Sequence, residues 1–196
     1  MRLAFALVLS LSLKANELEI VRRGLSDGAT GKKAQVEPEQ QMDKIQALAQ
    51  ARSSAGAEKE KEAGRAYLDK AAKESGATKL PSGVVYKTLT PGNGPSPAPT
   101  EKVKVNYEGR LTNGTVFDSS YKRGQPAEFG LNQVIKCWTD GVQKMKVGEK
   151  ARLVCPSDVA YGDHGHPPTI PGGATLVFDV ELLGIEGNTP PPAQKK

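Results

Sequence analysis

Polar and apolar positions divide the chain into distinct regimes. After Arg2, positions 3–13 form an apolar run too short to span a bilayer. Residues 16–36 carry no clear period and contain Gly24, Gly28 and Gly31, which predicts a flexible segment. From 37 to 79 the chain is dominated by Ala, Glu, Lys, Gln and Arg, the strong helix formers. Apolar residues recur there at three- and four-residue steps: Met42, Ile45, Leu48 and Ala49, then Ala63, Ala66, Tyr67 and Ala71. Pro38 suits a first helical turn. From residue 80 the period switches to two. Val103, Val105 and Tyr107 alternate with Lys102, Lys104 and Asn106.

The alternation predicts strands over 84–89, 101–111, 115–120, 148–156 and 175–186. One short helix is expected within 132–145, carrying Val134, Ile135, Trp138, Val142 and Met145 on nearly one side. Residues 121–130 and 158–174 read as loops, the second rich in Gly and Pro, and 188–196 as a disordered tail. The fold class is therefore α+β: an antiparallel sheet over 80–187 with one short helix on its concave face, preceded by a helical extension over 37–79. Asn113-Gly114 signals a two-residue hairpin turn. That turn pairs Gly109 with Asp118 and Tyr107 with Ser120, so Tyr107 and Asp118 share a face as diagonal neighbours. Strict pleating sends Phe117 to the other face.

The chemistry-bearing residues narrow the function. The net charge is +5, but the basic residues are mixed with acids and no basic stripe is interleaved with aromatics. Nucleic-acid binding is not expected. The basic-then-apolar N-terminus predicts a secretory signal peptide over 1–15, hence a secreted protein, extracellular or periplasmic, that is not transmembrane. Cys137 and Cys155 are compatible with one disulfide or with two buried thiols. Neither has metal-ligand spacing with His164 or His166, so no metal and no cofactor is expected. No nucleophile sits beside a base, and no carboxylates pair. What remains is either an aromatic pocket with one oriented carboxylate, suited to an apolar, uncharged, bent ligand, or an ordinary hairpin core with a satisfied Asp. The thin stripe of 37–79 must lie on the rest of the chain or on another copy. Gly56 and Gly64 weaken a continuous coiled coil, leaving a helix against the domain or a weak homodimer.

Three stretches carry a resemblance: YEGRLTNGTVFDSS, GLNQVIKCWTDGVQKMKVGEKARL and DVAYGDHGHPPTIPGGATLVFDVELL. Over 80–187 they resemble the FKBP-type (immunophilin) peptidyl-prolyl cis-trans isomerases, or rotamases. The preceding EAGRAYLDKAAKESGATKLPSGVVYKTL resembles the helix-to-domain junction of the macrophage infectivity potentiator subgroup, whose members are exported. The resemblance implies an antiparallel half β-barrel wrapped around one short helix, with a substrate proline between them. Asp118, Tyr107 and Tyr161 fall on its catalytic positions. Phe117, Phe129, Val134, Ile135, Trp138, His166, Ile170 and Phe178 fall on its substrate-binding positions. Trp138 would floor the proline ring, and the Ile135 N–H and Tyr161 hydroxyl would bond substrate carbonyls. His166 and Ile170 would lie at the rim. If Phe117 joins Tyr107 and Asp118, the strand must bulge near 116–118.

Two departures from the family pattern stand out. Ala127 replaces a common aromatic and opens one wall. Cys137 replaces a usual glycine, and a bridge to Cys155 would tie helix to sheet. The implied partners are proline-containing segments of client proteins, with macrolide immunophilin ligands in the same pocket. The implied role is protein folding, extending in that subgroup to infection of host cells. The competing readings are a binding module with incidental activity and an N-terminally dimerising surface protein.

Overall fold

The computed structural model describes residues 15–32 and 42–186. Residues 1–14 of the expected leader, the segment 33–41 and the expected tail 188–196 lie outside them. The chain forms two compact units, Met1–Gly56 and Ala57–Lys196, and the division falls inside a long helix.

In the first unit, helix α1 (Ala15–Ala29) stands where a flexible segment was expected. Leu18, Val21 and Leu25 give it an amphipathic stripe that Gly24 and Gly28 hide from a simple reading of composition. Helix α2 (Met42–Ala72) begins in this unit. Its Arg52 is bonded to Glu17 of α1. Leu18, Ile20 and Leu25 of α1, and Met42 and Leu48 of α2, are exposed.

The second unit begins with the rest of α2. An antiparallel sheet follows: β1 (Ala77–Lys79), β2 (Val85–Thr90), β3 (Lys102–Leu111), β4 (Val116–Ser119), β5 (Ala127–Gly130), β6 (Lys150–Cys155) and β7 (Leu176–Ile185). A one-turn helix α3 (Ser120–Arg123) links β4 to β5, and α4 (Lys136–Val142) precedes β6. The strand order is β1-β2-β6-β7-β3-β4, with β5 pairing β3 beside the β4 segment. Strand β3 thus has β7 along one edge, and β5 and β4 end to end along the other. β1 replaces what was expected as the end of the helical extension. β5 replaces part of an expected loop, since its four residues are held by β3 partners over twenty positions away.

Period-two patterning sorts the strands onto two cores. Val103, Val105, Leu153, Leu176 and Leu182 share a core with Trp138 and Val142 of α4 and with Met145 just beyond it. Each fully buried side chain of this size contributes about 1.5–3 kcal/mol. On the opposite face Val85, Val154 and Val177 lie in register across β2, β6 and β7 and meet Ala71, Leu68 and Tyr67 of α2. The buried stripe of this part of α2 is Ala57, Gly64 and Ala71, while Ala63 and Ala66 are exposed. Gly64 is therefore a close-approach residue: a Cβ there would overlap the Thr175 side chain.

The hairpin differs from the sequence expectation in two places that cancel. Gly114 N–H donates to Leu111 O (2.9 Å) and Leu111 N–H to Thr115 O (2.9 Å). The loop is thus Thr112–Gly114, three residues rather than two, with Gly114 at φ 89°. A three-residue loop closed by a glycine at positive φ is a common hairpin connection. The pairing starts one residue out of the expected register, with Arg110 opposite Val116. Phe117 is then extra, and Gly109 meets Asp118 as expected. The bulge required for Phe117 to share the site is present.

Candidate active site

Aromatic rings build the floor. Trp138, buried on α4, meets the edges or faces of Tyr107 (5.1 Å between centroids), Phe178 (5.5 Å) and Phe129 (5.6 Å), each near perpendicular. Phe117 packs on Phe178 at 5.6 Å. Edge-to-face pairs of this kind fix ring orientation beyond simple area burial. Gly109 makes the arrangement possible: a Cβ there would lie 2.7 Å from Phe117 Cζ and 2.8 Å from Phe178 Cε1. Alanine at this position would push both rings apart.

The rings enclose a cavity of about 390 Å³, lined by Tyr107, Phe117, Asp118, Phe129, Gln133, Val134, Ile135, Trp138, Tyr161 and Phe178. Nine of these ten are the residues expected from sequence; Gln133 is the addition. His166 and Ile170 do not line it. Ile170 is buried in the main core, and its backbone pairs with that of His166 in a tight turn (His166 N–H to Ile170 O, 2.8 Å). His166 instead sets its ring edge against Tyr161 at 5.8 Å. The Tyr161 hydroxyl and the Ile135 N–H make no hydrogen bond among the described residues, so both are free donors. Ile135 occupies the N-cap position of α4.

One charged corner interrupts the apolar wall. Tyr107 donates its hydroxyl to Asp118 Oδ2. Arg123 donates to Asp118 Oδ1, and its Nη2 to the Tyr107 oxygen at 2.9 Å. The guanidinium also lies 5.4 Å from the Tyr107 ring centre. Burial works against the Asp118 charge, but the bonds from Tyr107 and Arg123 and the guanidinium's charge outweigh it, holding the carboxyl below its usual range. Burial raises the Tyr107 pKa, and the adjacent carboxylate raises it further. Burial and the Asp118 charge raise Tyr161 as well.

Arg123 is the residue of this corner that the sequence pattern did not predict. The signal for it is local: Ser119 caps α3 by accepting from Lys122 N–H, and Gly124 closes the turn with φ 74°. That single turn folds Arg123 back onto Asp118. Ser120, wholly buried, accepts from Tyr107 N–H (2.9 Å) and anchors the same corner.

A disulfide joins Cys137 on α4 to Cys155 at the end of β6, with Cα atoms 5.7 Å apart. It ties the residue before Trp138 to the sheet. Ala127 opens β5 and, half-buried, packs against the main core. Among the described residues no three His, Cys, Asp or Glu side chains cluster to hold a metal, and no helix is long and apolar enough to cross a membrane.

Fold and site define a class: an open antiparallel half barrel closing an aromatic, non-covalent cavity on one short helix. Residues 94–183 match the family described as FKBP-type peptidyl-prolyl cis-trans isomerase, and 5–88 match the domain amino-terminal to it. The FKBP-type peptidyl-prolyl cis-trans isomerase FkpA of Aeromonas hydrophila is 46% identical over 174 residues, 85% of this chain and 64% of that protein. A probable FKBP-type peptidyl-prolyl cis-trans isomerase of Haemophilus influenzae is 40% identical over 83% of this chain and 70% of its own. The crystal structure of FkpA from Escherichia coli superposes with a TM-score of 0.74 at 37% identity, covering 90% of this chain and 84% of that one. The chain belongs to the FKBP-type peptidyl-prolyl cis-trans isomerase family. It spans 64% of the length of the Aeromonas hydrophila relative and 53% of other curated relatives.

Proposed function

We propose that the protein is a peptidyl-prolyl cis–trans isomerase that acts on proline-containing segments of client proteins as an exported folding helper. The observation that carries this is the aromatic cavity floored by Trp138, with room for a proline ring and part of its flanking peptide, a polar corner at one wall and two free donors, the Ile135 N–H and the Tyr161 hydroxyl. Rotation about an X–Pro bond meets a barrier of roughly 18–20 kcal/mol because amide resonance is lost midway. No bond to carbon breaks and no proton transfers. The twisted amide separates less charge than the planar one, so an apolar pocket favours it over the ground state. Phe117, Phe129, Val134, Trp138 and Phe178 supply that environment, and Ile135 and Tyr161 donate to flanking carbonyls of the peptide.

Asp118 acts through Tyr107. Its charge is neutralised by Arg123 in the same corner, so the field reaching the substrate is that of a pair rather than of a lone carboxylate. Both partners bond the Tyr107 oxygen and fix the ring that walls the proline.

The test is a protease-coupled isomerisation assay with proline tetrapeptides, with and without a macrolide immunophilin ligand. Acceleration that the macrolide abolishes is expected. Peptide binding without acceleration would make the protein a binding module instead. The exposed apolar residues of the first unit support a weak homodimer built there; a monomeric mass by sedimentation would end that part of the proposal.

A further inference from the structure

The Gly- and Pro-rich segment between β6 and β7 carries Tyr161, yet little regular structure of its own holds it. Within it, Gly162 N–H donates to Ser157 O (2.9 Å) and Gly165 N–H to Tyr161 O (3.1 Å), and further supports come from α2. Gly173 sits directly on the backbone of Ala57, where a Cβ at 173 would overlap the Ala57 carbonyl. The Gly173 N–H then donates to the carbonyl of Gly162 (2.9 Å), the residue after Tyr161. On the other side of Gly162, Asp163 forms an ion pair with Lys61 of α2 at 2.6 Å. One turn further along the helix, Gly64 lies against Thr175, where the segment enters β7. Ala57, Lys61 and Gly64 lie at four- and three-residue spacing, on one face of α2. Ala57 is only 3% exposed, whereas Ala63 and Ala66 of the same helix are exposed. The Lys61 side chain is 19% exposed, tucked toward the segment it holds.

We propose that Lys61, with Ala57 and Gly64, is a positioning residue for the isomerisation: α2 grips the 157–174 segment from behind and sets the Tyr161 hydroxyl over the cavity. The grip extends the isomerase reading, on which its kinetic consequence rests. The route has two parallel links, Ala57 to Gly173 to Gly162, and Lys61 to Asp163, and both converge on the peptide that follows Tyr161. The helical extension then takes part in the site without touching the substrate.

The experiment uses the full chain and a double-mutant cycle. Lys61→Met should lower kcat/KM on a proline tetrapeptide about threefold, the scale of a partly exposed ion pair. Lys61→Arg should restore it, because the charge and reach are kept. In a Tyr161→Phe background the Lys61→Met loss should vanish, since the group being positioned is gone; a purely structural role would leave that loss intact. Hydrogen exchange at the Gly173 amide gives a second readout independent of turnover, and exchange should quicken in Lys61→Met. If the wild-type chain did not isomerise peptides at all, that exchange rate alone would decide the grip. An unchanged kcat/KM in Lys61→Met, a threefold loss that persists in Tyr161→Phe, or unaltered Gly173 exchange would overturn the proposal.

Discussion

Two carboxylates of this domain are each held by arginine, and they serve different ends. Asp179, on β7, accepts from Arg152 Nε (2.7 Å) and Nη2 (3.0 Å) and from Arg110 Nη1 (3.0 Å). Asp118 accepts from one arginine, Arg123, and from Tyr107. Burial opposes the charge at both sites and the donors overcome it, so both carboxyls lie below their usual range. The difference is the remaining partner. Asp179 bridges two strands on the face away from the cavity, opposite its neighbour Phe178, and is 18% exposed. Asp118 is 40% exposed and passes its geometry to a phenol that lines the cavity. The same Asp–Arg chemistry stabilises the sheet in one place and orients a ring of the site in the other. A depressed carboxylate is therefore no marker of function until the partner beside its arginine is known.

The sharpest way to separate the two is to remove each in turn. Asp179→Ala leaves Arg110 and Arg152 facing one another without their common anion. A loss of about 2–3 kcal/mol in urea unfolding is expected, with kcat/KM within a factor of two of wild type. Asp118→Ala should do the reverse: about a tenfold fall in kcat/KM with less than about 1 kcal/mol of stability lost. Arg123→Gln comes next. It frees the Asp118 charge but loosens Tyr107, and a fall of about threefold is expected. A lone carboxylate that drove catalysis by its field would instead give faster turnover in that variant.

The smallest effect is pH. Asp118 lies below the usual carboxylate pKa of about 4 and Tyr107 above the usual phenol value of about 10, so neither changes charge between pH 5 and pH 9. A flat kcat/KM profile over that range is expected from this corner. The stability supplied by Asp179 is present above its unfolded pKa of about 4 and is lost as pH falls through its lower folded value. Acid unfolding of Asp179→Asn should accordingly show a weaker pH dependence below pH 4.

Much of this was legible in residue pattern alone. The alternation of β3 fixed which of its side chains face the core, because one face is buried against α4. The Tyr107–Asp118 pairing followed from the hairpin. It held although the turn is one residue longer than Asn113-Gly114 suggests, because the bulge at Phe117 returns the register. What stayed hidden depends on partners distant in sequence. β5 is a strand only because β3 lies beside it, and Gly64 reads as a helix weakener until Thr175 is seen against it. Arg123 is hidden by a single helical turn too short to show a period. His166 and Ile170, expected at the rim by resemblance, do not line the cavity themselves: Ile170 is buried in the core, and His166 sets its ring against the cavity-lining Tyr161.

The claim that Asp118 works through Tyr107 is tested most directly by kcat/KM for Tyr107→Phe, Asp118→Ala and the double variant on one proline tetrapeptide. If the carboxylate only orients the phenol, the double variant should be no slower than the slower single one, about tenfold below wild type. Losses that multiply, giving about a hundredfold fall in the double variant, would contradict it.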